Sequence, residues 1–211
     1  MKLEDFSLGT LYDMVHNIFD DMWDEMRTCA SFEKVSFKQF FKDMQDTFGD
    51  SLVMGDNRSY SVNDPDFKHA VLTMYDELKL PVRSTMEATG YDFFAPFSFV
   101  LLPGHTVKIP TGIRAQIDHG WGLKFYPRSG LGTKYRLQFD NTIPCIDGDY
   151  YHSDNEGHIF LKLTNDSKEE KTLTVVRGGA FAQGVFEIYG LARGDSVTTK
   201  RNGGFGSTDK K

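Results

Sequence analysis

The sequence predicts an all-β body of sandwich or barrel type behind an acidic, α-helical N-terminal extension. Three observations carry this. From about residue 68 the chain is a succession of short β-branched or aromatic runs, "HAVLTMY", "FSFVLL", "HTVKIP", "IRAQID", "WGLKFYP", "HIFLKL" and "KTLTVV". Gly, Pro, Asn or Asp separates them, the pattern of many short strands and not of βαβ units. Ahead of that point the apolar residues recur at helical spacing. Charge divides at the same place: residues 1–64 hold 6 Lys/Arg against 13 Asp/Glu, and residues 65–211 hold 18 against 17.

The first helix is expected over 8–28. Leu11, Met14, Val15, Ile18, Phe19, Met22 and Met26 follow the i, i+3, i+4, i+7 spacing, while Asp13, Asp20, Asp21, Asp24 and Glu25 mostly lie off that stripe. The second is expected over 36–48. Ser36 with Gln39 fits a capping box, Phe37, Phe40, Phe41, Met44 and Phe48 form its stripe, and Gly49 stops it. Residues 50–66 read as a connecting loop. "HAVLTMYDELKL" is ambiguous by itself: Asp64–Pro65 suits a helix start, whereas Ala70, Leu72 and Met74 alternate as in a strand. The expected organisation is therefore a helical extension over 1–64, a β domain over 65–198 and a Gly-rich arm over 199–211.

The 211 residues are 39% hydrophobic and 14% aromatic, enough for a packed core. No apolar run approaches the ~18 residues of a membrane span, and "MKLEDFSLGT" has no apolar signal core. A cytoplasmic protein with no membrane contact is expected. Cys29 and Cys145 sit in segments of different character, as reduced thiols and not a disulfide. The net charge of −6, concentrated in the front half, disfavours nucleic acid. The six histidines are scattered, suit no zinc site and are mostly expected at the surface. "ARGD" at 192–195 reads as chance.

Five segments stand apart: "ATGYDFFA" (88–95), "YPRSGLG" (126–132), "NTIPCIDGDYY" (141–151), "GGAFAQ" (178–183) and "GGFGST" (203–208). "PRSG" sets a guanidinium beside a hydroxyl. This suits a carboxylate or phosphate, or simply a turn with an ion pair. Asp147–Gly148 is a common hairpin turn, yet its carboxylate also suits general-base work on water. "GGFGST" offers successive unobstructed backbone N–H groups, two hydroxyls and a flat ring, so it can wrap phosphates and stack on a base. It is not a Walker A loop, because no Lys follows the glycines. Taken alone, it is equally a disordered tail.

In order and approximate spacing, these segments resemble the five motifs of the trimeric deoxyuridine triphosphatases (dUTPases). The flanking "KLPVRST", "LPGHTVKIPTGI" and "FLKLTN" match too, and the resemblance covers roughly residues 69–208. It implies a jelly-roll-like β-clip domain, homotrimeric, with three chains contributing to each site. It also implies a strand at 69–75, before the KLP turn. The implied activity is Mg²⁺-assisted hydrolysis of dUTP to dUMP and pyrophosphate, which limits uracil in DNA and supplies dUMP. The ion would be held mainly by the substrate phosphates and water.

By the same resemblance, Asp147 activates the attacking water and Asn141 reads the uracil edge. Tyr150 stacks under the deoxyribose, leaving no room for a 2′-hydroxyl. Ser129 and Gly130 bind the triphosphate, and Arg128 organises the site. Gln183 lies near the α-phosphate or its water. Asp92 acts on Mg²⁺ through water or serves as an anchor. Gly204, Phe205, Gly206, Ser207 and Thr208 form an arm that orders over nucleotide in a neighbouring subunit. Three features depart from the family pattern. Lys200 occupies the usual Arg position, so the cation for the γ-phosphate is Lys200 or Arg201; Arg201, with its forked guanidinium, is preferred. Ala180 stands where Arg is common. "HSDNEG" lengthens the link after Tyr151. Two other readings remain: a nucleotide-gated regulator that binds a protein through residues 1–64, and a relative of dCTP deaminase, against which "GGFGST" and "RSG" argue.

Overall fold

The computed structural model describes residues 7–49, 52–53, 59–60 and 65–199. The chain divides into two compact units, 1–30 and 31–211. The first unit holds α1 (Leu8–Arg27). Ser7 caps it, its Oγ accepting from the Thr10 N–H at 3.1 Å. Ile18, Phe19 and Met22 of its apolar stripe are exposed.

β1 (Ala30–Lys34) begins at the last residue of the first unit and runs into the second, which continues with α2 (Phe37–Phe48), the short strands β2 (Leu52–Val53) and β3 (Ser59–Tyr60), and α3 (Pro65–Asp76). The Ser36 hydroxyl caps α2 by accepting from the Gln39 N–H at 3.1 Å, and Gly49 ends it at φ +57°. Only half of the expected capping box forms, because the Gln39 amide donates forward to Asp43. The strand expected at 69–75 is instead part of α3. Phe67, Val71, Met74 and Leu78 are buried at helical spacing, and Leu72, which an alternating strand would bury, is exposed. Pro65 at the first helical position presets φ for the helix. The buried stripe then meets α2, where Phe41 and Phe67 lie 5.7 Å apart between ring centroids and Phe37 meets Tyr75 at 5.5 Å.

The β body follows as β4 (Val82–Arg83), β5 (Tyr91–Phe94), β6 (Phe99–Leu101), β7 (Thr106–Pro110), β8 (Ile113–Ile117), β9 (Trp121–Pro127), the short helix α4 (Ser129–Tyr135), β10 (Leu137–Phe139), β11 (Cys145–Asp147), β12 (Phe160–Asn165), β13 (Leu173–Val175) and β14 (Ala180–Ile188). A five-stranded sheet runs β11-β9-β14-β5-β4, and a three-stranded sheet runs β10-β12-β7. Pairs β13-β6 and β1-β8 complete the body, a jelly-roll-like arrangement of short strands. Burial alternates along β12, with Leu161, Leu163 and Asn165 inward. The centre is aromatic: Phe93 and Phe125 meet edge to face at 4.8 Å. Gly184 on β14 makes room for them, since a Cβ there would lie 2.9 Å from Leu123 and 3.1 Å from Phe93.

The extension expected over 1–64 differs from the compact units, which divide at Ala30–Ser31. Residues 31–49 belong with the β body for physical reasons. β1 and β8 are sheet neighbours, Phe40 and Met44 are fully buried, and the Phe48 ring meets Phe97 at 5.0 Å. Among the described residues no helix is long and apolar enough to cross a membrane.

Candidate active site

Asp92, Gln183 and Tyr126 stand opposite one another on β5, β14 and β9. Side chains directly opposite in antiparallel strands share a face, and so does a residue two further along. Arg128, just beyond β9, therefore joins that row: its Nε lies 3.0 Å from Asp92 Oδ1. The pair is only part-buried, with side-chain exposures of 43% and 15%, so it orients the guanidinium more than it stabilises the fold. The Gln183 amide donates to the Pro127 carbonyl at 3.4 Å, and Gly90 leaves the space that Gln183 fills, since a Cβ there would be 2.7 Å from Oε1. Ser129 and Gly130 open α4 and are exposed. The Arg128 carbonyl accepts from the Leu131 and Gly132 N–H groups at 2.9 Å each. A Cβ on Gly130 would meet nothing within 4 Å, so its backbone faces open space.

The second cluster lies on the segment between β10 and β12. Asn141 and Asp147 are exposed. The turn between them holds Thr142 at φ +66°, an unusual conformation for a β-branched residue. Backbone bonds fix it, Thr142 N–H to Phe139 O at 3.0 Å and Ile143 N–H to Asn141 O at 2.7 Å. β11 pairs with the start of β9, so Asp147 sits opposite Gly122. Gly148 follows where the chain passes close to β8, and a Cβ there would lie 3.1 Å from the Ile117 carbonyl.

A 3-10 turn (Gly148–His152) then carries Tyr150 inward. Only 3% of Tyr150 is exposed, its hydroxyl donates to the His158 carbonyl at 2.9 Å, and it accepts from the Asn155 amide at 2.8 Å. In a single chain, then, Tyr150 does not line an open cleft.

One strand separates the two clusters. Asp147 stands opposite Gly122, whereas Arg128 and Ser129 follow Pro127. Five residues of extended chain span about 17 Å. Arg201, Gly204, Phe205, Gly206, Ser207 and Thr208, with Lys200, lie outside the described residues.

The structure adds residues that sequence reasoning did not select. Tyr151 donates to Glu33 Oε2 at 2.9 Å, and Arg114 reaches the same oxygen through Nε at 3.0 Å and Nη2 at 2.6 Å. The Tyr151 and Arg114 donors hold the Glu33 carboxyl below its ordinary range. His158 is fully buried, with Nδ1 2.6 Å from Asp43 Oδ2 and Nε2 accepting from the Gly112 N–H at 2.7 Å. Burial lowers its pKa against the pull of Asp43. These partners are about 80 to 120 positions apart, so no local pattern marks them.

Residues 76–209 match the dUTPase family model. The chain is similar to the deoxyuridine 5'-triphosphate nucleotidohydrolase of Lactococcus lactis, 39% identical over 143 residues, which is 65% of this chain and 94% of that protein. It is 37% identical over 139 residues to the enzyme of the same name from Desulfitobacterium hafniense, 62% of this chain and 87% of the relative. The crystal structure of dUTPase from Streptococcus mutans superposes with a TM-score of 0.50 at 36% identity, covering 56% of this chain and 92% of that one. The matched span includes all five motifs and leaves residues 1–75 outside, and on this evidence the chain belongs to the dUTPase family.

Proposed function

We propose that this protein hydrolyses dUTP to dUMP and pyrophosphate in the cytoplasm. The observation that carries the activity is the family match over 76–209, which spans every one of the five motifs together with the body that positions them. Asp147 is the general base: an exposed carboxylate at the end of β11 that can take a proton from a water in line with the α-phosphorus. Asn141 pairs with the uracil edge and penalises cytosine, whose donor and acceptor are exchanged. Arg128, oriented by Asp92, holds the phosphate-binding turn, and Ser129 and Gly130 donate to phosphate oxygens from the start of α4. Gln183 reaches the α-phosphate or its water.

Mg²⁺ fits this donor set as an ion carried by the substrate. Among the described residues no group of three His, Cys, Asp or Glu could ligate it, and Asp92 is engaged with Arg128. Asp92 would then meet the ion through water or serve as an anchor for Arg128. When bound, the ion offsets charge on the departing pyrophosphate.

The active assembly is a homotrimer. The roughly 17 Å of β9 between the level of Asp147 and Pro127 supports this reading, because it favours an arrangement in which different copies supply the base and the phosphate cradle to one nucleotide. The arm 199–211 closes over the triphosphate with Phe205 on the base and Arg201 at the γ-phosphate. The test is pyrophosphate release from dUTP, dCTP, dTTP and UTP side by side, with ammonia measured in parallel. Turnover confined to dUTP is expected. Ammonia from dCTP, or equal turnover of all four, overturns the reading.

A further inference from the structure

Residues 31–49 lie ahead of the family match, yet three of their side chains are bonded to the segment that prolongs the substrate hairpin. Glu33 on β1 accepts from Tyr151, and Arg114, bonded to the same carboxylate, lies 4.3 Å from the Tyr151 ring centroid. Ser36, the cap of α2, donates its N–H and its hydroxyl to the two oxygens of Glu156, each at 2.7 Å. Asp43 on α2 holds His158.

The receiving segment is strained and closely folded. Glu156 has φ +59° and Gly157 φ +71°, and a Cβ on Gly157 would lie 2.7 Å from the Tyr151 Cα. A non-glycine residue keeps such a conformation only where its surroundings over-determine it. Here the cap of α2 supplies both hydrogen bonds to the Glu156 carboxylate. The segment in turn holds Tyr150 through the His158 carbonyl and the Asn155 amide. Tyr150 and Tyr151 share the 3-10 turn that begins one residue after Asp147.

We infer that residues 31–49 are a built-in brace for the substrate hairpin, and that Glu33 is a positioning residue for hydrolysis: by fixing Tyr151 it fixes the turn that places Tyr150 and Asp147. The inference rests on the proposed role of Asp147 as base and on the sugar contact that the family resemblance implies for Tyr150, a residue almost wholly buried in the single chain. It explains why the link after Tyr151 is long. Residues 152–157 reach back to the cap of α2, which a short link could not do.

The experiment uses full-length Glu33→Ala, Glu33→Gln, Tyr151→Phe and the Glu33→Ala/Tyr151→Phe double variant. It measures kcat and KM for dUTP and UTP together with the melting temperature. Misplacing a reacting group by about 1 Å can cost about 100-fold in rate, and a loss of kcat/KM of up to about that size is expected for Glu33→Ala with dUTP. The preference for dUTP over UTP should fall with it. Glu33→Gln keeps an acceptor for the Tyr151 hydroxyl and should recover most of the preference. Tyr151→Phe should show the part of the Glu33→Ala loss that runs through this contact, and the double variant should be no worse than Glu33→Ala, which already breaks it together with both Arg114 bonds. Tyr151→Phe removes a single oxygen, so it reports even if Glu33→Ala fails to fold. Lower melting temperatures with wild-type kcat, KM and preference would overturn the inference, as would additive losses in the double variant. Wild-type protein inert toward dUTP would overturn the function and the inference together, which separates that failure from the others.

Discussion

Asp43→Ala tests how firmly the N-terminal segment is bound to the body. The Asp43 carboxylate takes two donors, His158 Nδ1 at 2.6 Å and the Gln39 amide at 2.8 Å. His158 has no exposed surface. Its tautomer is fixed, because Nε2 accepts from the Gly112 N–H and so cannot carry the proton itself. Alanine at 43 therefore leaves a buried N–H with no acceptor and no route to water, at about 1–3 kcal/mol. Gln39 is only half-buried and turns to solvent at little cost. For a chain of about 200 residues each kcal/mol moves the melting temperature by roughly 2–4 °C, so a loss near 2 kcal/mol lowers it by about 4–8 °C. Asp43→Asn keeps an acceptor oxygen and should lose about half as much. Differential scanning calorimetry at pH 7.5 reads both. An Asp43→Ala midpoint within about 1 °C of wild type would refute the buried-donor argument.

Other outcomes follow from the same structure. Asp147→Asn should bind dUTP but turn it over at least ~100-fold more slowly, the low end for loss of a general base, read by stopped-flow pyrophosphate detection; near-normal turnover removes Asp147 from that role. Truncation after Lys200 should leave the proposed trimer intact by light scattering but with little hydrolysis. Stability should fall as pH drops below about 6.5, the ordinary histidine value: burial keeps His158 neutral in the fold, so the unfolded chain takes up the proton first. The loss levels off once pH passes below the lowered folded value. Melting points from pH 8 to 5 should show this decline in wild type and not in His158→Phe. The carboxyls of Glu33 and Glu156, both held low, act in a separate and more acidic window as pH falls below their ordinary 4.5.

Much of the fold was legible because its signals are local. The two helices expected at 8–28 and 36–48 stand at Leu8–Arg27 and Phe37–Phe48, since an apolar stripe, a serine cap and a terminal glycine each act within a few residues. The strands of the body were announced by turn residues between β-branched runs. The ambiguous stretch at 69–75 shows where resemblance misleads. Residues alone left helix and strand open, and the family pattern tipped the balance toward strand. Yet this chain carries α2, an additional apolar face, beside that stretch. With a partner helix available, burying Phe67, Val71 and Met74 together became favourable, and tertiary packing decided between two weak local preferences.

The candidate site was legible in its parts but not in its support. Asp92 and Arg128 come together as an anchoring pair, and Gln183 falls in the same row, because register along β5, β14 and β9 carries them there. The contacts of Tyr150 could not be read, since His158 and Asn155 are ordinary polar residues until the loop folds back. Charge misplaced the boundary for a related reason. An acidic composition marks the solvent face of a helix and says nothing of what its other face meets. In α2 the two faces differ sharply: Lys42 and Asp46 pair at 2.6 Å in solvent, while Phe40, Met44 and the carboxylate of Asp43 are buried. A buried acid satisfied by a buried histidine is invisible to net charge, and this pair, together with the Ser36–Glu156 bonds, joins α2 to the segment that follows the 148–152 turn.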